Sequence, residues 1–227
     1  MERYNNSFLV SASEADISKW MLEKNMAFSV TDSQEKNNPL ALKLFLVGAN
    51  ETLKEKFCSA GVLALENWDP QKHSLESLEN LALFAGQIRN FDMIHGLIKL
   101  VDENKIPEKE GENKTKRIVI SVVAGFPKEM SVKNALERWF GDEKIDPKYS
   151  DLIFFGLTAA YPERVESYLP KVLKSFDDHP DYFFFSLITT NLLEYVGREK
   201  AEKMLKKFDS ESARELVREI DERSVEN

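Results

Sequence analysis

The chain has 227 residues, of which 42% are hydrophobic and 31% charged, with only 9 Gly and 8 Pro. That is enough apolar material for a core, too much for disorder, and too few turn formers for an all-β fold. The formal charge of −8 argues against nucleic-acid binding, which draws on phosphate neutralisation by Lys and Arg, and the single cysteine, Cys58, excludes an internal disulfide.

The acidic excess lies mostly in the first half: residues 1–113 carry 12 basic and 18 acidic side chains, residues 114–227 carry 19 and 21. An acidic surface suits a basic partner. The N-terminal stretch MERYNNSFLVSASEAD has no apolar run of signal-peptide length. No stretch approaches the roughly 18–20 apolar residues of a membrane-spanning helix. The expectation is a cytoplasmic protein without a membrane role.

Ser13, followed by Glu14 and Asp16, is a helix start: a hydroxyl cap, then acids at the positive end of the helix dipole. Ile17, Trp20, Met21 and Lys24 continue it at helical spacing to about Phe28. After the polar stretch Thr31–Asn38, Asn38-Pro39 predicts a short apolar helix that stops at Gly48. Asn50 caps a predicted helix from Glu51 to Ala60, which Gly61 ends. Residues 1–68 thus read as irregular N-terminal helices.

Asp69-Pro70 is either a cap or a turn followed by a restart at Ser74. Leu75, Leu78, Leu81 and Leu83 mark an amphipathic helix, and Asn90 caps the next one. The run Asn104–Lys116 is the longest polar stretch, and reads as a mobile surface loop or a boundary. The β-branched run Ile118–Val123 is read as a helix, because a strand there has nothing to pair with. Ser131–Phe140 is helical and Gly141 ends it; Asp146-Pro147, Pro162 and Asp178-His179-Pro180 open further helical segments. Ser210 starts a last charged helix with Leu216 and Ile220 on its inner face, so residues 209–227 read as a capping helix.

Residues 74–208 repeat themselves. An aromatic closes an apolar helical run at Phe91, Phe126, Tyr161 and Tyr195, at spacings of 35, 35 and 34 residues. Five residues before each stands a small side chain, Gly86, Ser121, Gly156 or Thr190, expected to let the second helix of a pair approach closely. The aromatic is expected to fill the gap near the turn. Seven before stand Phe84, Val119, Phe154 and Ile188; three before stand Ile88, Val123, Thr158 and Leu192. A period in this range is the signature of stacked helix–turn–helix units. The fold class is all-α in one domain, 1–227: an α-solenoid of antiparallel helix pairs or, alternatively, an irregular multi-helix bundle.

From Tyr161 to Tyr195 the sequence YPERVESYLPKVLKSFDDHPDYFFFSLITTNLLEY resembles a HEAT-type repeat, with a proline-started helix, an internal Pro170, an acidic turn at Asp177-Asp178 and a second apolar helix. It departs from that pattern in having no arginine between Tyr182 and Phe185. The period also suits tetratricopeptide repeats, whose paired Gly and Tyr are absent. The resemblance implies a right-handed superhelical array whose usual work is binding protein. HEAT-like folds also include DNA glycosylases, a class that needs a positive concave face.

The histidines His73, His95 and His179 are scattered without metal-ligand spacing, and no phosphate loop or nucleophile elbow is present. Cys58 is expected to be a buried, inert thiol, and the many carboxylates to be solvated faces and caps. No metal or cofactor is expected. Four consecutive aromatics from Tyr182 cannot all face inward on a helix. The candidate binding anchors are therefore Trp68, Trp139, Tyr182 and Phe184, with Trp68 expected to be exposed beside its turn. The function expected is a non-enzymatic protein-binding module or adaptor for another protein, with the acidic charge suiting a basic partner, or an inhibitor of such a partner. The alternative is a DNA-glycosylase-like enzyme on the same scaffold, disfavoured by charge.

Overall fold

The computed structural model describes residues 11–23, 51–108, 114–141, 145–178 and 185–223. Every regular element among them is helical: α1 (Glu14–Leu22), α2 (Glu51–Asn67), α3 (Leu75–Ile88), α4 (Phe91–Asp102), α5 (Lys114–Ala124), α6 (Met130–Gly141), α7 (Ser150–Ala160), α8 (Val165–Asp178), α9 (Phe185–Tyr195), α10 (Arg198–Leu205) and α11 (Glu211–Glu222). Short 3-10 turns at Pro147–Tyr149 and Pro162–Arg164 lead into α7 and α8. The chain divides into two compact units, Met1–Val123 and Ala124–Asn227, with the division at the last residue of α5. The expected helix from Asn38-Pro39 to Gly48, the cap at Asn50 and the residues His179, Tyr182 and Phe184 lie outside the described residues.

In the first unit, α1 starts at the expected cap: Ser13 Oγ accepts from Asp16 N, and Asp16 returns to the Ser13 backbone. α1 and α4 both pack on α2, and α3 packs on α4. The helix predicted to stop at Ala60 runs on to Asn67 instead. Gly61 is a point of close approach within it: a β-carbon there would lie 2.6 Å from Met93 Sδ of α4. Gly96 of α4 returns the arrangement, since its β-carbon would stand 3.3 Å from Leu65 of α2. Packing across the two helices outweighs the modest helix-breaking tendency of one glycine.

The turn after α2 follows the restart reading. His73 N donates to Asp69 O, Asp69 N donates to His73 Nδ1, and Ser74 Oγ caps α3 through Ser77 N. This folds the chain back over Trp68, whose ring is only 4% exposed and whose Nε1 donates to Ser77 Oγ at 3.3 Å. The described ends of the run Asn104–Lys116 are held by side-chain contacts. Ile106 is buried, Lys116 is buried against Glu108 at 2.6 Å, and Glu79 of α3 holds Thr115 Oγ1 at 2.7 Å and Lys114 Nζ at 2.9 Å.

In the second unit α7 is central, contacted by α6, α8 and α9, while α11 packs on α8, α9 and α10. Gly156 of α7 lies hard against α6 and the end of α5, with a β-carbon position 2.6 Å from Leu136 Cδ1 and 3.2 Å from Ala124 Cα. Ser210 caps α11, and Asp177 at the end of α8 accepts from both Ser212 N (3.1 Å) and Ser212 Oγ (2.6 Å). Leu216 and Ile220 are buried, as the spacing of α11 requires.

The columns of the sequence period meet different fates. Phe84, Val119, Phe154 and Ile188 are all buried. The aromatics do not fill a gap at every turn: Phe91 is 43% and Tyr195 38% exposed. Gly86 approaches Val122 of α5 rather than its own following helix α4, while Ser121 and Thr190 are exposed. Ile118–Val123 is helical, within α5.

Candidate functional site: an acid-lined cleft beside α2

α2 has two faces. Phe57, Ala60, Gly61, Ala64 and Leu65 are buried, at the three- and four-residue spacing of a core-facing stripe. The opposite side lines a cleft of about 970 Å³, with Glu51, Glu55 and Glu66 along it and Cys58, Val62 and Leu63 between them. Ile88 and Gln87 at the end of α3, Asn90 and Asp92 at the start of α4, and Glu14 of α1 complete the walls. Among the described residues five carboxylates and one ammonium group, Lys54, line it, and Lys54 is paired with Glu51 at 2.8 Å. The described lining thus combines an acidic excess with the apolar Val62, Leu63 and Ile88.

Asn90 holds the far wall in place. Its Oδ1 accepts from Met93 N at 2.8 Å, which fixes the start of α4, and its side chain is hydrogen-bonded to the Cys58 thiol. Cys58 is half-buried rather than buried. Burial pushes its thiol pKa up, the Asn90 hydrogen bond works the other way, and the charges of Asp92 and Glu55 raise it further. A thiol so placed stays protonated near neutral pH and is a poor nucleophile.

Other carboxylates whose pKa moves are held down by local partners. The Ser13 hydrogen bond does so for Asp16, and Arg198 with Lys206 does so for Glu202. These are cap and ion-pair carboxylates in helix termini and exposed faces. No group of histidine, cysteine and acidic side chains among the described residues is arranged to hold a metal ion.

A second cluster, of cations on aromatic rings, joins α6 to α8. The Arg164 guanidinium lies 5.1 Å from the Tyr161 ring and 5.5 Å from that of Tyr168, and it pairs with Glu137. Lys171 sits 5.0 Å from the Phe140 ring and donates to the Phe140 carbonyl near the end of α6. Cations at such positions are matched to ring faces and to the negative helix end. They tie the two helices together, and Glu137 offsets part of their charge.

Of the anchors expected from sequence, Trp139 is 2% exposed, on the buried stripe of α6 with Val132, Ala135 and Leu136. Trp68 is covered by the turn described above, so the expectation of an exposed ring there is corrected. Neither tryptophan is among the described residues that line the cleft. The cleft residues Glu55, Val62, Glu66 and Asp92 were not singled out in the sequence. The available signal was the row Glu51, Glu55, Ser59, Val62, Glu66, which lies on one side of α2 once that helix is extended past Gly61.

Comparison with protein-family models, with curated proteins and with solved structures returns no match. No described helix is long and apolar enough to cross a membrane.

Proposed function

We propose that the chain is a non-enzymatic protein-binding module, an α-helical scaffold of stacked helix pairs whose cleft beside α2 takes up a basic partner. The observation that carries this reading is the lining of the cleft: among the described residues, five carboxylates and one lysine beside the apolar Val62, Leu63 and Ile88. Such a surface attracts a cationic partner over a Debye length and holds it by burying apolar area. The same lining disfavours nucleic acid and a DNA-glycosylase-like activity, since phosphate needs the opposite charge. In this reading the protein works in the cytoplasm, where the lone Cys58 needs no oxidative partner.

The test is affinity capture from cells with the wild-type chain and with a Glu55→Lys/Glu66→Lys chain. Both glutamates are exposed, so the charge reversal leaves the core untouched. The expected result is a basic protein retained by the first chain and lost by the second. Capture of the same proteins by both chains, or of none at any salt concentration, overturns the proposal.

A further inference from the structure

Resting on that reading of the cleft, we infer that the part of the partner it receives is a cationic amphipathic α-helix, laid along α2 with its apolar ridge on Val62, Leu63 and Ile88. Three features of the cleft lead there. The first is length: the acidic row from Glu51 to Glu66 runs along four turns of α2, about 22 Å at 1.5 Å per residue. The second is size. The cleft, at about 970 Å³, has room for one side of a helix about 10 Å wide.

The third is the backbone of the guest. An extended peptide must find partners for its own N–H and C=O groups, usually at a sheet edge. Most of the lining from α2 lies inside that helix, whose backbone groups are bonded to one another, so this wall offers no strand edge. A helix brings its backbone bonds with it and needs only apolar contact and charge from its host. Lysines flanking the ridge would meet Glu55 and Glu66 on one side and Asp92 on the other.

The test uses the full chain and fluorescent model peptides of about 16 residues: a Leu/Lys peptide with leucines at helical three- and four-residue spacing, a scramble of identical composition, and a Leu/Glu counterpart. Binding is read by anisotropy, and its place by the reaction of Cys58, the sole thiol of the chain, with a maleimide. The expected result is binding of the Leu/Lys helix at least about tenfold tighter than its scramble, no binding of the Leu/Glu peptide, and slowed Cys58 modification as the site fills. Glu55→Lys/Glu66→Lys, checked for unchanged helicity, should weaken it about tenfold or more.

If the scramble binds as tightly and protects Cys58 equally, the helical guest is refuted while the basic partner stands. If neither basic peptide protects Cys58 at low salt, both readings fall. If sedimentation shows a dimer in which Cys58 is already protected without peptide, a second copy of the chain occupies the cleft and the inference is overturned.

Discussion

Gly61 of α2 and Met93 of α4 share one volume: the space where a glycine β-carbon would stand is taken by the methionine sulfur, 2.6 Å away. Both residues are buried. Their contact sets how closely α4 lies to α2, and with Asn90 and Asp92 at its start, α4 supplies one wall of the cleft.

Gly61→Val should therefore destabilise the first unit by about 1–3 kcal/mol, the usual cost of overpacking a core. Met93→Ala alone should cost about 2–5 kcal/mol through the cavity it leaves. The double variant should lose less than the sum of the two, because the new methyls enter that cavity. Urea denaturation of the four chains measures the coupling, and strict additivity would contradict the shared volume.

Gly156→Ala offers a second overpacking test against a harder wall. Removing a mid-helix glycine gains up to about 1 kcal/mol in helix propensity, but the new carbon meets Ala124 Cα at 3.2 Å as well as Leu136. A backbone atom cannot swing aside as a methionine tip can. The net effect should be a loss of about 1–2 kcal/mol, whereas Gly141→Ala, with nothing within 4 Å, should be neutral or stabilising. Thermal melts of the two variants decide it.

Cys58 should titrate above the ordinary thiol value of 9.0, because burial and the nearby Asp92 and Glu55 disfavour the thiolate. The rate of iodoacetamide modification against pH should show a midpoint above 9.0, and Asp92→Asn should bring that midpoint down. The linked effect on stability has one sign. The unfolded thiol ionises first, so the native state loses stability as pH rises from 9.0 through the raised folded value, and loses none of it below. A midpoint below 9.0 would contradict the placement of the thiol.

Asp177 binds two donors of one residue, Ser212 N and Ser212 Oγ, and so clamps the start of α11 to the end of α8. Asp177→Ala should cost about 1–2 kcal/mol. Ser212→Ala, which keeps the backbone donor, should cost less. Equal losses, or none, in chemical denaturation would mean that the clamp contributes nothing.

Trp68 is a core residue closed over by its turn, so Trp68→Phe should lower stability by about 1–2 kcal/mol through the lost indole volume and its bond to Ser77. It should leave the affinity of the cleft for a basic peptide unchanged. A selective loss of binding with stability intact would restore the indole as an anchor.

Much of the local structure was written in short-range chemistry. Ser13, Ser74, Asn90 and Ser210 cap the helices that their hydroxyls and amide suggested, because a cap depends only on the three residues after it. The stripe Phe84, Val119, Phe154 and Ile188 is buried as its apolar character required. The β-branched run of α5 folds as a helix, in keeping with its place between helices.

The misreadings at Gly61 and Trp68 concern residues whose surroundings come from elsewhere in the chain. Gly61 looked like a stop, and only the arrival of Met93 makes it a packing position. Trp68 looked exposed because it precedes a turn, and only the direction of that turn buries it. The far end of the polar run after Asn104 is held by Glu79, distant in sequence, through Thr115 and Lys114.

The cleft belongs to the same category. The sequence by itself determined an acidic, all-helical chain, since composition, caps and apolar spacing act within a few residues of one another. Only the tertiary structure decided that Glu55, Glu66 and Asp92 stand around Val62, Leu63 and Ile88, because α2, α3 and α4 must first pack before residues from all three can line one space.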